Sequence, residues 1–121
     1  MQGIVIVSHA YGIAEGLKSL LLEIVKDVPI TTAGGLDEHT IGTNLPRVTQ
    51  AIEENEASTL HVFYDLGSAL MNVEMAAELT EKTLIIHKSA LVEGAFIAAA
   101  MMMSKASAES ITEELKRLNV K

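Results

Sequence analysis

Short apolar runs alternate with helix-length amphipathic segments along the whole chain. Residues 3–7, 28–32, 60–64 and 83–86 read as strands, and each precedes a stretch with helical spacing. That alternation predicts parallel βαβ units: an open, mainly parallel α/β sheet flanked by helices on both faces. The first helical pattern has Ile13, Leu17, Leu20, Leu21 and Ile24 facing inward and Glu15, Lys18, Ser19, Glu23 and Lys26 facing water. A second helix should follow the loop holding Gly34, Gly35 and Gly42, capped by Thr43 or Asn44, with Pro46 harmless in its first turn, and end near Asn55. A third should start at Gly67-Ser68 with Ser68 as cap, burying Leu70, Val73 and Ala77 and exposing Glu74, Glu78 and Glu81. Residues 91–103 are apolar on nearly every face and need cover on two sides. A last helix carries Ile111, Leu115 and Leu118, with Ser110 and Glu113 spaced as a capping box.

With 121 residues the chain is expected to fold as one domain, 1–121. Nine Lys and Arg against 16 Asp and Glu give a net charge of −7, which argues against nucleic acid or an anionic membrane surface as partner. There is no cysteine, so disulfides and thiolate metal sites are excluded, in keeping with a reducing compartment. No basic leader precedes the first strand pattern, and the longest apolar run, 95–103, falls short of the ~20 residues a bilayer span requires. The expected location is the cytoplasm.

Right-handed crossovers bring all four strand-to-helix loops to one end of such a sheet. That end should gather His9, the segment 34–43 with His39, Asp65, and His87-Lys88. His9 is the leading candidate: it sits where a strand hands over to a helix, a place that offers unpaired N–H groups to an anion. Its bland alternative is a capping or solvated histidine. Asp65 is placed to accept a hydrogen bond from the imidazole and fix its tautomer, or simply to cap the third helix. Thr43 is a candidate phosphate contact, beside glycines that permit close backbone approach. His39 reads as a solvated loop residue, His61 as structural, and His87 as a second-rank ligand contact. Their spacing matches no metal-ligand motif, so no metal is expected.

The apolar helix at 91–103, with Met101 to Met103, has too little protein of its own to hide in. A second copy of the chain is expected to cover part of it, making a homodimer.

Four segments together resemble a known family: Ile6-Val7-Ser8-His9 with Ile13-Ala14-Glu15-Gly16; Ala33-Gly34-Gly35 with Ile41-Gly42-Thr43; Tyr64-Asp65-Leu66-Gly67-Ser68-Ala69; and Val92-Glu93-Gly94-Ala95. The chain is similar over nearly its whole length to the phosphotransfer subunits (DhaM) of phosphoenolpyruvate-dependent (PTS) dihydroxyacetone kinases, whose fold is EIIA-mannose-like. The resemblance implies that His9 accepts a phosphoryl group from the phosphocarrier HPr and passes it to ADP held by the partner subunit DhaL. It implies no cofactor on this chain, with ADP/ATP and Mg belonging to DhaL. Asp65 would then orient His9, and Thr43 with helix N-terminal amides would offset phosphoryl charge. Since the sequence stops at Lys121, without the additional phosphocarrier-like domains of some relatives, a separate HPr is the expected donor. Alanine at position 10, where many relatives have a small hydroxyl residue, puts one phosphate contact in question.

Two rivals share parts of this pattern. A IIA component of a mannose-type sugar transporter would keep the histidine and deliver to another protein; the Gly67-Ser68-Ala69 segment favours the kinase branch. A receiver-like signalling domain would use Asp65, but wants an acidic pair after the first strand where this chain has Ser8-His9.

Overall fold

The computed structural model describes residues 1–121. Four parallel strands, β1 (Gln2–Ser8), β2 (Ile30–Gly34), β3 (Thr59–Tyr64) and β4 (Thr83–His87), form one sheet in the order β2-β1-β3-β4. They alternate with α1 (Tyr11–Leu22), α2 (Leu45–Glu54), α3 (Leu70–Leu79) and α4 (Leu91–Met103), and α5 (Ala108–Leu115) follows. The chain steps from β1 outward to β2, then returns past β1 to β3. The β1/β3 boundary is therefore the switch point at which open α/β sheets hold their ligands.

The central strands are buried on both faces, which is why they read as continuous apolar runs. Ile4, Ile6 and Phe63 pack under α1, α4 and α5, whereas Val5, Val7, Val62 and Tyr64 pack under α2 and α3. Asn44 caps α2 by accepting from the Arg47 amide at 2.9 Å, as one of the two expected caps.

Several expectations from the pattern shift. The second strand begins at Ile30, after Pro29, two residues later than expected. In α1 the buried residues are Ala14, Leu17 and Leu21, while Ile13 and Leu20, and Ile24 just beyond the helix end, stay exposed. The smallest side chain decides this, because α1 comes so close to β2 that a Cβ on Gly34 would lie 2.8 Å from Ala14 Cβ. The third helix starts with a 3₁₀ turn at Gly67–Ala69, Ser68 does not cap it, and the fully buried stripe is Ala69, Val73 and Ala76. Leu70 and Ala77 are half-buried. Ser107 rather than Ser110 caps α5, accepting from the Ser110 amide at 3.1 Å, and Glu113 pairs with Lys116 instead of closing a box.

The α4 helix buries Ala95, Ala98, Ala99 and Met102 against the sheet and its neighbours. Val92 and Phe96 remain over 40% exposed beside Leu20 and Ile24, so only one of the two sides that needed cover has it. No helix is long and apolar enough to cross a membrane.

Candidate active site

His9 stands between the tip of β1 and the first turn of α1, and Asp65 stands at the tip of the adjacent strand β3. Hydrogen bonds tie the loops around them together. Asp65 N–H donates to Val7 O at 3.2 Å, Gly35 N–H to Ser8 O at 3.0 Å, and Gly42 N–H to His9 O at 2.8 Å. Gly35 (φ 68°) and Gly42 (φ 139°) occupy left-handed backbone that side chains resist, and that geometry folds the 35–42 loop back onto His9.

The Asp65 carboxylate accepts four hydrogen bonds. Its Oδ2 takes the Ser8 hydroxyl at 2.7 Å and the His9 amide at 2.9 Å. Its Oδ1 takes His9 Nδ1–H at 2.9 Å and the Leu66 amide at 2.7 Å. Burial pushes the Asp65 pKa up, but these donors outweigh it and hold the carboxyl below the ordinary range. An ionised carboxylate only accepts, so the imidazole proton resides on Nδ1 and the Nε2 lone pair is free. Ser68 Oγ lies 2.8 Å from Nε2 and donates to it. The His9 side chain is 19% exposed and Asp65 13%, so the pair is sheltered yet reachable.

Thr43 stands one residue beyond the Gly42 anchor and accepts a hydrogen bond from Asn72 Nδ2 at 2.9 Å. Across β3 from His9, Lys121 Nζ donates to Ser89 O at 2.8 Å and lies 4.6 Å from the centre of the Tyr64 ring. Partial burial lowers the Lys121 pKa, and the Asp65 charge opposes that shift. At position 10 the alanine N-cap of α1 offers no side-chain hydrogen bond.

The convergence of three histidines does not occur. His39 is exposed on the 35–42 loop, its amide bonded to Asp37. His87 is only 5% exposed and points into the α4/α5 face, where its Nε2 lies 2.7 Å from His61 Nδ1. It is a core residue, not a ligand contact. Its register against Phe63 is the reason: both side chains leave the same face of the sheet, and their rings stack at 5.0 Å. His61, as expected, is structural and fully buried. No group of three His, Cys, Asp or Glu side chains assembles anywhere in the molecule.

Ser8 and Ser68 are the site residues that pattern reading passed over. Ser8 looks like the last residue of a strand, and Ser68 like a helix cap. Their position in the Tyr64-to-Ala69 and Ile6-to-His9 motifs was the only signal for either.

The family model described as the PTS system fructose IIA component (EIIA-man) matches residues 3–112. The chain is 48% identical over 116 residues to the PTS-dependent dihydroxyacetone kinase phosphotransferase subunit DhaM of Lactococcus lactis, covering 96% of this chain and 94% of that one. It is 42% identical over 119 residues to the phosphoryl donor subunit DhaM of dihydroxyacetone kinase 1 from Listeria innocua, covering 98% and 96%. A crystal structure of a protein of unknown function, EF1359, superposes with a TM-score of 0.83 at 26% identity, over 99% of this chain and 96% of the other. The chain belongs to the EIIA-mannose family, among the DhaM phosphotransferase subunits of dihydroxyacetone kinases.

Proposed function

We propose that this chain is a phosphohistidine relay, in which His9 Nε2 takes a phosphoryl group from phospho-HPr and gives it to ADP on a DhaL-type subunit. The observation that carries the reading is the His9–Asp65 pair: Nδ1 is occupied by a part-buried carboxylate at 2.9 Å and Nε2 is left as nucleophile. The Nε2 lone pair attacks phosphorus in line with the donor's P–N bond, which breaks as the new P–N bond forms. The Nδ1 proton stays on the ring throughout, so the phosphorylated imidazole is cationic and Asp65 faces it as counter-ion. In the second step an ADP phosphate oxygen attacks, the P–Nε2 bond breaks, and its electron pair returns to the ring. No proton needs to enter or leave the site.

Catalysis of this kind depends mainly on positioning and charge stabilisation. Ser68, freed from Nε2 once that nitrogen is bonded to phosphorus, has its hydroxyl available to a phosphoryl oxygen, and Thr43 with the amides of the α1 and 3₁₀ N-terminal turns offers further donors. ADP/ATP and Mg belong on the acceptor subunit, and the chain would work in the cytoplasm beside its donor. The reading also includes a homodimer. Leu20, Ile24, Val92, Phe96 and Ile97 line an apolar groove of about 400 Å³ on the α1/α4 face, which a second copy would cover. Phe96→Glu should shift sedimentation from dimer to monomer, and a wild-type monomer at low micromolar concentration would remove this part.

The deciding test is labelling from phosphoenolpyruvate through enzyme I and HPr, on wild type and His9→Ala. Acid-labile label on wild type alone, discharged by ADP-loaded DhaL, is the expected result. Label that DhaL and ADP leave in place would favour the sugar-transporter role, and no label would overturn the relay.

A further inference from the structure

Two contacts on one helix frame the space beside the His9 nucleophile. Ser68 Oγ lies 2.8 Å from His9 Nε2, and Asn72 Nδ2 donates to Thr43 Oγ1 at 2.9 Å. Residues four apart stand above one another on a helical surface, and 68 and 72 belong to the continuous 3₁₀-to-α3 segment. Their partners, His9 and Thr43, are thus held by neighbouring positions of one segment. A separate link ties the two residues from the other side, since the amide of Gly42, the residue before Thr43, is bonded to the carbonyl of His9.

A threonine hydroxyl has one proton to give and two lone pairs to fill. The Asn72 amide fills a lone pair, which leaves the proton for an acceptor outside the pair. We propose that Asn72 is a positioning residue of the phosphotransfer site, holding the Thr43 hydroxyl as a donor aimed at the phosphoryl group on His9. The assignment rests on the phosphohistidine reading and adds to it a residue that makes no contact with the reacting atoms. It also states why the side chain is an amide. An aspartate has the same shape but only accepts, so it would draw the Thr43 proton to itself and place a negative charge beside the phosphoryl dianion.

The experiment measures single-turnover transfer from phospho-HPr to the full chain, in wild type, Asn72→Ala, Asn72→Asp, Thr43→Val and the two double variants. Asn72→Ala should slow transfer about fivefold to tenfold, the worth of one hydrogen bond, and Asn72→Asp should slow it more. Melting temperature and the His9 ring-nitrogen NMR signals should stay as in wild type. In the Thr43→Val background Asn72→Ala should add no comparable loss, because the coupled partner is already gone, and Asn72→Asp should keep only the part of its loss that its charge causes. Equal losses in both backgrounds, Asn72→Asp transferring like wild type, or losses that follow the fraction unfolded would each overturn the proposal while leaving the relay intact. Failure of the wild type to take label, or equal labelling of His9→Ala, would overturn the relay itself, and the role of Asn72 with it.

Discussion

Two histidine pairs in this molecule are built from the same ring and end in opposite chemistry. At the sheet's switch point His9 Nδ1 meets a carboxylate at 2.9 Å and Nε2 meets only a serine hydroxyl. In the interior His61 Nδ1 meets His87 Nε2 at 2.7 Å, and His61 Nε2 meets Gln2 Oε1 at 2.6 Å. Gln2 donates its own amide to Ala106 O, so its carbonyl faces His61 and must accept. His61 therefore carries its proton on Nε2 and takes the Nε2 proton of His87 on Nδ1. Every partner there is neutral, and burial pushes both pKa values down to about 4. The difference teaches that position along a strand does not make a histidine reactive. A charged partner on one nitrogen and access to the other do.

Exchanging the carboxylate at the first pair for an amide tests that statement most severely. In Asp65→Asn an N–H₂ group in the Oδ1 place confronts the Leu66 amide and donates to the Nδ1 lone pair, which moves the ring proton to Nε2. Single-turnover transfer from phospho-HPr should fall by about a hundredfold or more, the size expected when a preorganised group that stabilises transition-state charge is lost, about 10²–10³. Ring-nitrogen NMR should show the tautomer reversed. Transfer within a fewfold of wild type would mean that the carboxylate charge is dispensable.

The interior pair should declare itself in stability, not activity. Its pKa values lie near 4 when folded and near 6.5 when unfolded, so between those limits the unfolded chain binds more protons. Stability contributed by the neutral rings is then complete above about pH 6.5 and drains away as the pH falls toward 4, by about 1.4 kcal/mol per unit for one ring. The Asp65 contribution has the same direction but is lost only near and below the ordinary carboxyl value of 3.8, so melting between pH 6.5 and 4.5 isolates the histidines. The melting temperature should drop by roughly 4 °C or more per kcal/mol lost. The double variant His61→Leu, His87→Phe should flatten that dependence. An equally steep fall in the double variant would assign it to other groups.

Much of this contrast was legible in the residues, and the part that was not has a physical cause. The strand-to-helix handovers placed His9 and Asp65 on adjacent tips because apolar runs mark strands well, and the short motifs around both residues marked the family. His87 was misplaced because counting residues along β4 locates its Cα at the reactive edge, while the pleat sends its side chain into the α4/α5 face beside Phe63. Ser68 follows a glycine at a helix start, the same signature as an ordinary cap, and only the arrival of the β1 tip beside that turn reveals its partner. In α1 two stripes satisfy helical spacing, and the close approach of Gly34 to Ala14 selects the one with the smaller side chain. These are tertiary choices among local patterns that fit equally well.

Ser68 sharpens the comparison at the other nitrogen. Unlike the Gln2 carbonyl that closes off His61, its hydroxyl can leave Nε2 and turn to the phosphoryl group. Ser68→Ala should therefore slow transfer by about tenfold, one hydrogen bond made in the transition state, with the His9 tautomer unchanged. A loss as deep as that of Asp65→Asn would give the serine a larger part than donor to one oxygen.

The smallest effect should come from the charge behind the carboxylate. Lys121 reaches Ser89 O and the Tyr64 ring, and Tyr64 is the residue before Asp65. Continuing the Phe63–His87 register by two places sets Ser89 opposite Asp65, so the ammonium stands level with the reactive pair and on the far side of β3. In a chain of net charge −7, a cation there offsets part of the repulsion that an incoming phosphoryl dianion meets from Asp65. Solvent reaches Lys121, so the benefit is modest and salt weakens it. Lys121→Met should lower single-turnover transfer about twofold to threefold at low ionic strength, Lys121→Arg should restore most of it, and the gap should close as salt is raised toward 1 M, where the screening length is about 3 Å. A loss in Lys121→Met that salt does not diminish would make Lys121 a structural anchor against Ser89 and Tyr64, leaving the His9–Asp65 pair to carry its charge without help from the ammonium.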